Sequence, residues 1–172
     1  MRQLAFCVFA FSLLTSFLYS DEIPCAFCNQ EVLDYQMFYE NDLVRALYTH
    51  KPILPGHCLI IPKRHAERFE DLSDKEMAQI FQVIKKVDTA ASHVFGTSAY
   101  LLLQKNGYEV GQTVPHVHFH YIPRQTDDSS TIKFILKMFI VNIQSPISSE
   151  QMYESVEKMK LAMENQDENR DL

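Results

Sequence analysis

The sequence predicts an α+β domain in which an antiparallel sheet is covered by one long helix and followed by a helical C-terminal appendage. Three observations lead to this prediction. Short apolar runs separated by turn-forming residues indicate strands, a central segment repeats its apolar residues at helical spacing, and a second helical pattern lies near the end of the chain. The 172 residues suffice for one compact domain with its own core.

The first twenty residues stand apart from the rest. After the short basic start "MRQ" comes the uncharged apolar run "LAFCVFAFSLLTSFL", and "YSDE" returns to polar residues. This three-part pattern is typical of a secretory signal peptide, and the run is short for a membrane span, which needs roughly 20 residues. We therefore expect residues 1–20 to be a signal peptide and the mature chain to be exported, periplasmic or secreted. If the segment is retained, it anchors the chain.

The region before the long helix predicts three strands. "QMFYENDLVRALYTH" indicates two extended runs around a turn at Asn41 and Asp42. "KPILPGH" holds two prolines and a glycine and indicates a loop, after which "CLIIPK" indicates a compact apolar strand. His57, at the end of this loop, is expected to have a structural role.

The long helix has well-marked ends. Ser73 followed by Glu76 is a capping-box pattern, and Gly96 is expected to stop the helix. The apolar residues that recur between them at helical spacing are Met77, Ile80, Phe81, Ile84, Val87, Ala91 and Val94.

Two further strands and the appendage complete the prediction. "SAYLLLQKN" and "HVHFHYIP" indicate strands, joined by the turn-rich "GYEVGQT". "TIKFILKMFIVNI" fits either a helix or a buried extended segment, and residues 148–165 indicate a terminal helix before a polar tail. We therefore expect a domain over 21–126 and a helical extension with a polar tail over 127–172.

The charge pattern argues against a nucleic-acid polymer as a partner. The chain has 16 basic and 22 acidic residues and a net charge of -6. No cluster of Lys and Arg is present that could hold a phosphate backbone.

Cys25 and Cys28 form a C-x-x-C pair just after the expected cleavage point. Such a pair fits either a disulfide, which an oxidising compartment favours, or half of a zinc site. The cysteines by themselves leave both alternatives open.

The stretch "VPHVHFHYIPR" places three histidines at alternate positions. Because side chains alternate across a strand, we expect His116, His118 and His120 to share one face, about 6–7 Å apart. Three satisfied core histidines are one interpretation. A metal site made by all three is a second, although this spacing is wide for ligands that bind zinc at about 2.0–2.1 Å. The third is nucleophilic catalysis, in which one imidazole attacks while its neighbours orient it and bind negative charge.

The loop before the histidines favours catalysis. Gly107 and Gly111 in "NGYEVGQT" allow the backbone to approach a ligand closely. Asn106, Gln112 and Thr113 supply neutral groups of the kind that hold phosphate oxygens.

These motifs resemble the histidine triad family. "HVHFHYI" fits its signature, His-φ-His-φ-His-φ-φ with φ apolar, and "KPILPGHCLIIPKRH", "AERFEDLSDKEMAQIF" and "NGYEVGQTVPHVHFHYIPR" are similar to its sequence blocks in the same order. The similarity covers roughly residues 25–125. Around 51–124 the chain looks closest to the fragile-histidine-triad branch, which cleaves diadenosine polyphosphates.

The resemblance implies a nucleotidyl hydrolase or transferase that acts on a nucleotide or dinucleotide. His118 would attack the α-phosphorus and form a nucleotidyl-histidine, which water would hydrolyse. His120 would donate to a nonbridging phosphate oxygen, and Gln112 and Thr113 would steady phosphate oxygens and the leaving group. Asn106 would assist in substrate binding. The alternative is a non-catalytic exported protein that binds nucleotide or zinc on the same fold.

The resemblance also gives the cysteines partners. Some members of the wider family bind zinc through a C-x-x-C pair, a His after a block like "IIPKR", and the first triad His. Here these positions are Cys25, Cys28, His65 and His116, a set suited to structural zinc. The fragile-histidine-triad branch typically lacks this set, so the chain mixes features of two branches.

Family members commonly form two-fold dimers, and we expect a homodimer. The apolar "FILKMFIVNI" run would supply either that interface or packing on its own domain.

Overall fold

The computed structural model describes residues 25–97, 99–125 and 131–168. Five strands form one antiparallel sheet in the order β1-β2-β3-β5-β4. They are β1 (Met37–Glu40), β2 (Val44–Tyr48), β3 (Cys58–Pro62), β4 (Ala99–Gln104) and β5 (Phe119–Arg124). The helices are α1 (Gln30–Gln36), α2 (Asp74–Phe95), α3 (Thr131–Ile140) and α4 (Ser149–Glu168).

This arrangement confirms the predicted α+β class, with α2 as the long covering helix. The predicted signal peptide, residues 1–20, lies outside the described residues.

The centre of the sheet is buried on both faces. Ala46 and Ile60 point into the main core, to which α2 and α4 contribute. Their neighbours Leu47 and Ile61 pack on the opposite face with Leu33 of α1. Because adjacent side chains of a strand point to opposite faces, the short apolar runs of β2 and β3 serve two layers at once.

α2 begins and ends as its sequence predicts. The Ser73 Oγ accepts from the Glu76 N–H at 3.3 Å, and the Glu76 carboxylate accepts from the Ser73 N–H at 2.9 Å, so the capping box is complete. Gly96 follows the helix at φ 71°, in the left-handed region that favours glycine. The helix buries one face against the sheet through Ile80, Val83, Ile84, Val87, Ala90 and Ala91.

The ambiguous segment after the sheet is helical and forms α3. Phe134 is buried beneath Arg124, whose guanidinium carbon lies 4.2 Å from the ring centroid, while Ile132 and Phe139 are exposed. α4 instead adds a buried row to the main core, made of Met152, Val156, Met159, Ala162 and Met163. None of the described helices combines the length and apolar character that crossing a membrane requires.

The prediction that "HVHFHYIP" is a strand throughout is wrong for its first three residues, because β5 begins only at Phe119. The His116 N–H donates to the Val114 carbonyl at 2.8 Å, and the Val117 N–H donates to the Ala66 carbonyl at 2.7 Å. These bonds hold the backbone in a turn outside the β5 ladder. The alternation of side chains persists, since Val117, Phe119 and Tyr121 all lie in the main core.

α1 also differs from the sequence expectation, because its seven residues are too few to show helical periodicity. The Asn29 side chain caps it by accepting from the Glu31 N–H at 2.8 Å.

Candidate functional site

The three triad histidines lie at two neighbouring sites, each of which contains several titratable side chains. One is a cavity of about 400 Å³ whose wall includes His57, His118 and His120. The other is a cluster formed by Cys25, Cys28, His65 and His116. The structure therefore divides the three triad histidines between two sites.

His118 presents one ring nitrogen to the cavity. Its Nδ1 lies 2.7 Å from the carbonyl oxygen of His116, and because a carbonyl only accepts, Nδ1 carries the proton. The side chain is 4% exposed, and burial lowers its pKa, so the ring is neutral at pH 7. A neutral ring with its proton on Nδ1 has a free lone pair on Nε2, which is the state a nucleophile requires.

His57 and His120 form a hydrogen-bonded pair with a defined direction. The Ile53 N–H donates to His57 Nδ1 at 3.2 Å, so the His57 proton is on Nε2. This Nε2 donates to His120 Nδ1 at 3.0 Å, which leaves the His120 proton on its own Nε2. Burial lowers the pKa of both rings. His120 is thus a neutral N–H donor whose ring centroid lies 4.9 Å from that of His118.

The role of His57 is the feature that the sequence indicated least well. Its place after Pro55 and Gly56 favoured a purely structural role, and the structure puts its ring in the cavity wall. Leu59 of β3 pairs with His120 of β5, and His57, two residues before Leu59, reaches the same histidine. Alternation from the loop into β3 is the signal that would have found it.

The structure brings Thr113 into the cavity wall but not Gln112. The Gln112 side chain is buried, its Nε2 donates to the Glu67 carbonyl at 2.8 Å, and its Oε1 accepts from the Gly107 N–H at 2.7 Å. In this conformation Gln112 braces the loop that carries Thr113. Its predicted contact with phosphate oxygens remains a prediction.

Asn106 also lies outside the cavity wall. Its Oδ1 accepts from the Phe69 N–H, and its Nδ2 donates to Glu70, both at 2.8 Å. These contacts tie the start of the loop to the segment before α2. Gly107 and Gly111 have φ values of 120° and 83°, which only glycine adopts readily, so the loop conformation depends on both.

Gln36 is a cavity residue that no motif in the sequence marks. Its side chain is 6% exposed and lines the cavity, and its Oε1 has no hydrogen-bond partner among the described residues. A buried acceptor without a partner costs roughly 1–3 kcal/mol. A ligand that offers a donor at this point would remove that cost.

The second site has the spacing of a tetrahedral metal centre. Cys25 Sγ lies 3.4 Å from His116 Nδ1, and Cys28 Sγ lies 3.5 Å from His65 Nδ1 and 3.6 Å from His116 Nδ1. The nitrogen–sulfur edge of a tetrahedron with usual zinc bond lengths is about 3.6 Å. All four candidate ligand atoms lie within 4.8 Å of one another, and both cysteines are free thiols.

His116 is oriented for ligation and not for catalysis in the cavity. Its Nε2 donates to the Pro62 carbonyl at 2.9 Å, so Nδ1, which faces both thiols, carries no proton. Burial lowers the His116 pKa to about 4. Partial burial, together with the hydrogen bond to Cys25, raises the Cys28 pKa to about 11. The imidazole is therefore ready to bind, whereas the thiol must lose its proton to a metal. These residues could hold a metal that prefers sulfur and nitrogen ligands.

Comparison with known proteins identifies the domain. The HIT domain family model matches residues 30–127. The chain is similar to the asymmetrical bis(5'-nucleosyl)-tetraphosphatase of Schizosaccharomyces pombe, at 44% identity over 95 residues, which are 55% of this chain and 52% of that protein. It is also similar to the adenosine 5'-monophosphoramidase of the same yeast, at 40% identity over 89 residues. These residues are 52% of this chain and 64% of that protein.

A solved structure supports the same fold. The diadenosine triphosphate hydrolase of Plasmodium falciparum, in complex with Cyclomarin A, gives a TM-score of 0.63 at 25% identity, over 76% of this chain and 78% of that chain. The chain spans only about half of the length of the tetraphosphatase, and less than two thirds of the phosphoramidase. The family match covers all five strands and the three histidines of "HVHFH", and it begins after Cys25 and Cys28. The chain belongs to the HIT domain family, the histidine triad proteins.

Proposed function

We propose that this chain is a nucleotidyl hydrolase or transferase in which His118 attacks the α-phosphorus of a nucleotide. The observation that carries the proposal is the bond from His118 Nδ1 to the His116 carbonyl. It frees His118 Nε2 in a cavity where the His57–His120 pair supplies an N–H donor at close range. A nucleophile beside a fixed donor for developing negative charge suits attack on phosphorus.

The proposed reaction has two steps, formation of a nucleotidyl-histidine and its hydrolysis. In the first, His118 Nε2 forms a bond to the α-phosphorus while the bond from phosphorus to the leaving group breaks. The His120 N–H donates to a nonbridging oxygen, and Thr113 donates towards the leaving group. In the second, water adds to phosphorus, the nitrogen–phosphorus bond breaks, and the water proton goes to solvent. A nucleoside monophosphate is released, and His118 returns to its starting tautomer.

The activities of the two yeast relatives support the substrate class. One is a bis(5'-nucleosyl)-tetraphosphatase and the other an adenosine 5'-monophosphoramidase. Both names describe nucleotides that are cleaved at a phosphorus atom. The proposed partner is therefore a small nucleotide or dinucleotide with a phosphoanhydride or phosphoramidate bond.

We further propose that the second site holds one structural zinc ion. The proposal is supported by the nitrogen–sulfur distances of 3.4–3.6 Å and by the unprotonated Nδ1 of His116. Bound zinc would supply a crosslink between the segment at Cys25 and the turn at His116. No step of the reaction passes through it.

Export and self-association complete the proposal. The apolar N-terminal run supports a cleaved signal peptide, and N-terminal sequencing of the protein secreted by its own host would show a start near residue 21. Exposed apolar side chains on α3, such as Phe139, support a homodimer, and light scattering would report twice the chain mass.

The experiment for the catalytic proposal uses diadenosine tetraphosphate and adenosine phosphoramidate with wild type, His118→Ala and the control His93→Ala. His93 is an exposed histidine on α2. We expect turnover by wild type and the control, none by His118→Ala, and a nucleotidyl adduct on His118 in rapid-quench mass spectrometry. Equal turnover by His118→Ala would overturn the proposal.

A further inference from the structure

The cavity carries the opposite charge balance to the chain. The whole chain has a net charge of -6, yet the described residues that line the cavity include Lys51 and Lys105 and no aspartate or glutamate. Its other polar lining residues are neutral amides, hydroxyls and imidazoles: Gln36, Thr49, Thr113 and four histidines. A positively charged cavity raises the local concentration of anions, even on a molecule whose net charge is negative.

Lys105 lines the same cavity as the proposed nucleophile, His118. In the β4–β5 pairing Leu103 is opposite His120 and Gln104 is opposite Phe119. Lys105 directly follows Gln104, the last residue of β4, and it lines the cavity together with Leu103, His118 and His120.

The ammonium group of Lys105 lies by the loop that carries Thr113. Its Nζ donates to the Gly111 carbonyl at 3.4 Å, and within the described part of the chain this long bond is its one hydrogen-bond or ion-pair contact. Burial is the main cause of the lowered pKa of His118 and His120, and the charge of Lys105 lowers both further. Among the residues that the structure describes, no carboxylate forms an ion pair with Lys105, so its charge acts on the cavity.

We propose that Lys105 is a specificity-determining residue that binds the phosphates of the leaving group, so that the site prefers substrates whose leaving group is a polyphosphate. This inference rests on the proposed function and adds a substrate preference to it. Lys105 lines the cavity with His118, and its Nζ contacts the Gly111 carbonyl in the loop that carries Thr113, the side to which that function assigns the leaving group.

The two candidate substrate classes differ in the group that Lys105 would meet. When His118 bonds to the α-phosphorus of diadenosine tetraphosphate, the broken phosphorus–oxygen bond releases a nucleoside triphosphate with several negative charges. With adenosine phosphoramidate, the phosphorus–nitrogen bond breaks and the leaving nitrogen takes up a proton from solvent. The ammonia that is released carries no negative charge. A lysine ammonium contributes a charge-assisted hydrogen bond to the first leaving group and none to the second.

The decisive measurement is kcat/KM for both substrates with wild type, Lys105→Met and Lys105→Arg. Lys75→Met, which removes the same charge from an exposed position on α2, is the matched control. We expect Lys105→Met to lose about 10- to 100-fold on the tetraphosphate, as loss of one charged hydrogen bond predicts, and less than about twofold on the phosphoramidate. Lys105→Arg should restore most of the loss, and Lys75→Met should change neither substrate. Equal losses on both substrates, or no loss on either, overturn the inference.

A binding measurement separates this inference from the proposed function. In a His118→Ala background, which cannot form the adduct, titration calorimetry compares diadenosine tetraphosphate with adenosine monophosphate. Adding Lys105→Met should weaken binding of the tetraphosphate about tenfold or more and leave the monophosphate unchanged. If wild type turns over neither substrate, the proposed function fails, while this binding difference still supports the polyphosphate subsite. If binding of both ligands is unaffected, the inference fails.

Discussion

His116 and His118 are two residues apart in the chain but are arranged in opposite ways. His116 donates from Nε2 to the Pro62 carbonyl and turns Nδ1 to the cysteines. His118 donates from Nδ1 to the His116 carbonyl and turns Nε2 to the cavity. Each carbonyl fixes one proton, so each ring exposes a different lone pair.

The hydrogen-bond partner, and not the repeated motif, determines what each imidazole can do. Both rings are buried, and burial lowers the pKa of each. The two histidines therefore do not differ in charge or in exposure. The cluster of Cys25, Cys28, His65 and His116 and the cavity share the backbone turn at His116–His118, and we expect that each can be perturbed without the other. Each prediction below tests that separation.

The largest expected effect contrasts His118→Ala with His116→Ala. The first should lower kcat by about 10⁴-fold or more, because the covalent nucleophile is lost, and should keep its metal. The second should lose its metal and keep kcat within about 100-fold of wild type, because the backbone carbonyl that orients His118 remains. Kinetics and elemental analysis of the folded fraction measure both. Equal inactivation by the two changes would show that His116 and His118 do not have separate roles.

Removal of the thiols should affect stability more than chemistry. The double change Cys25→Ser and Cys28→Ser should reduce zinc from close to one ion per chain to almost none. Loss of a structural metal should lower Tm by about 10 °C, equivalent to roughly 3 kcal/mol. Cys58→Ala is the control, since Cys58 is a buried thiol outside the cluster. Unchanged metal content in the double variant would show that the site does not bind zinc.

His57→Ala should affect the cavity alone. Without the Nε2 donor of His57, the proton of His120 is free to move to Nδ1, and the donor towards phosphate is lost for part of the time. We expect kcat to fall about 10- to 100-fold, with zinc content unchanged. A normal kcat would show that the tautomer of His120 is held by other means, and loss of zinc would show that the two sites are coupled.

The smallest effect concerns the segment next to His65. The Glu76 carboxylate accepts from Arg64 at 2.8 and 2.9 Å, and this hydrogen bond is the largest cause that lowers the Glu76 pKa to about 2. Because that pKa is depressed on folding, its stabilising contribution is present above pH 5 and is lost as the pH falls towards 2. Glu76→Gln should cost about 1–2 kcal/mol of unfolding free energy at pH 7.

Urea unfolding of wild type and Glu76→Gln at pH 7, 5 and 3 tests this sign. The difference between the two proteins should shrink at pH 3, while kcat at pH 7 stays equal. A difference that grows with acid would contradict the assigned role of Glu76.

Much of the fold could be predicted from local signals. The capping box at Ser73, the stop at Gly96 and the turn at Asn41 act within a few residues, so each is present in the sequence itself. The start of β5 could not be predicted. It depends on the hydrogen bond from the Val117 N–H to the carbonyl of Ala66, a residue that is distant in the chain.

The site follows the same division. By itself the sequence identified the members of the cysteine–histidine cluster and the triad histidines, because the motifs that contain Cys25, Cys28, His65 and the triad resemble a known family. Only the tertiary structure decided which nitrogen of each histidine holds its proton, how His57 joins His120, and that Lys105 lines the cavity with His118. The physical reason is that a tautomer is set by the nearest donor or acceptor, and these partners come from other strands and turns.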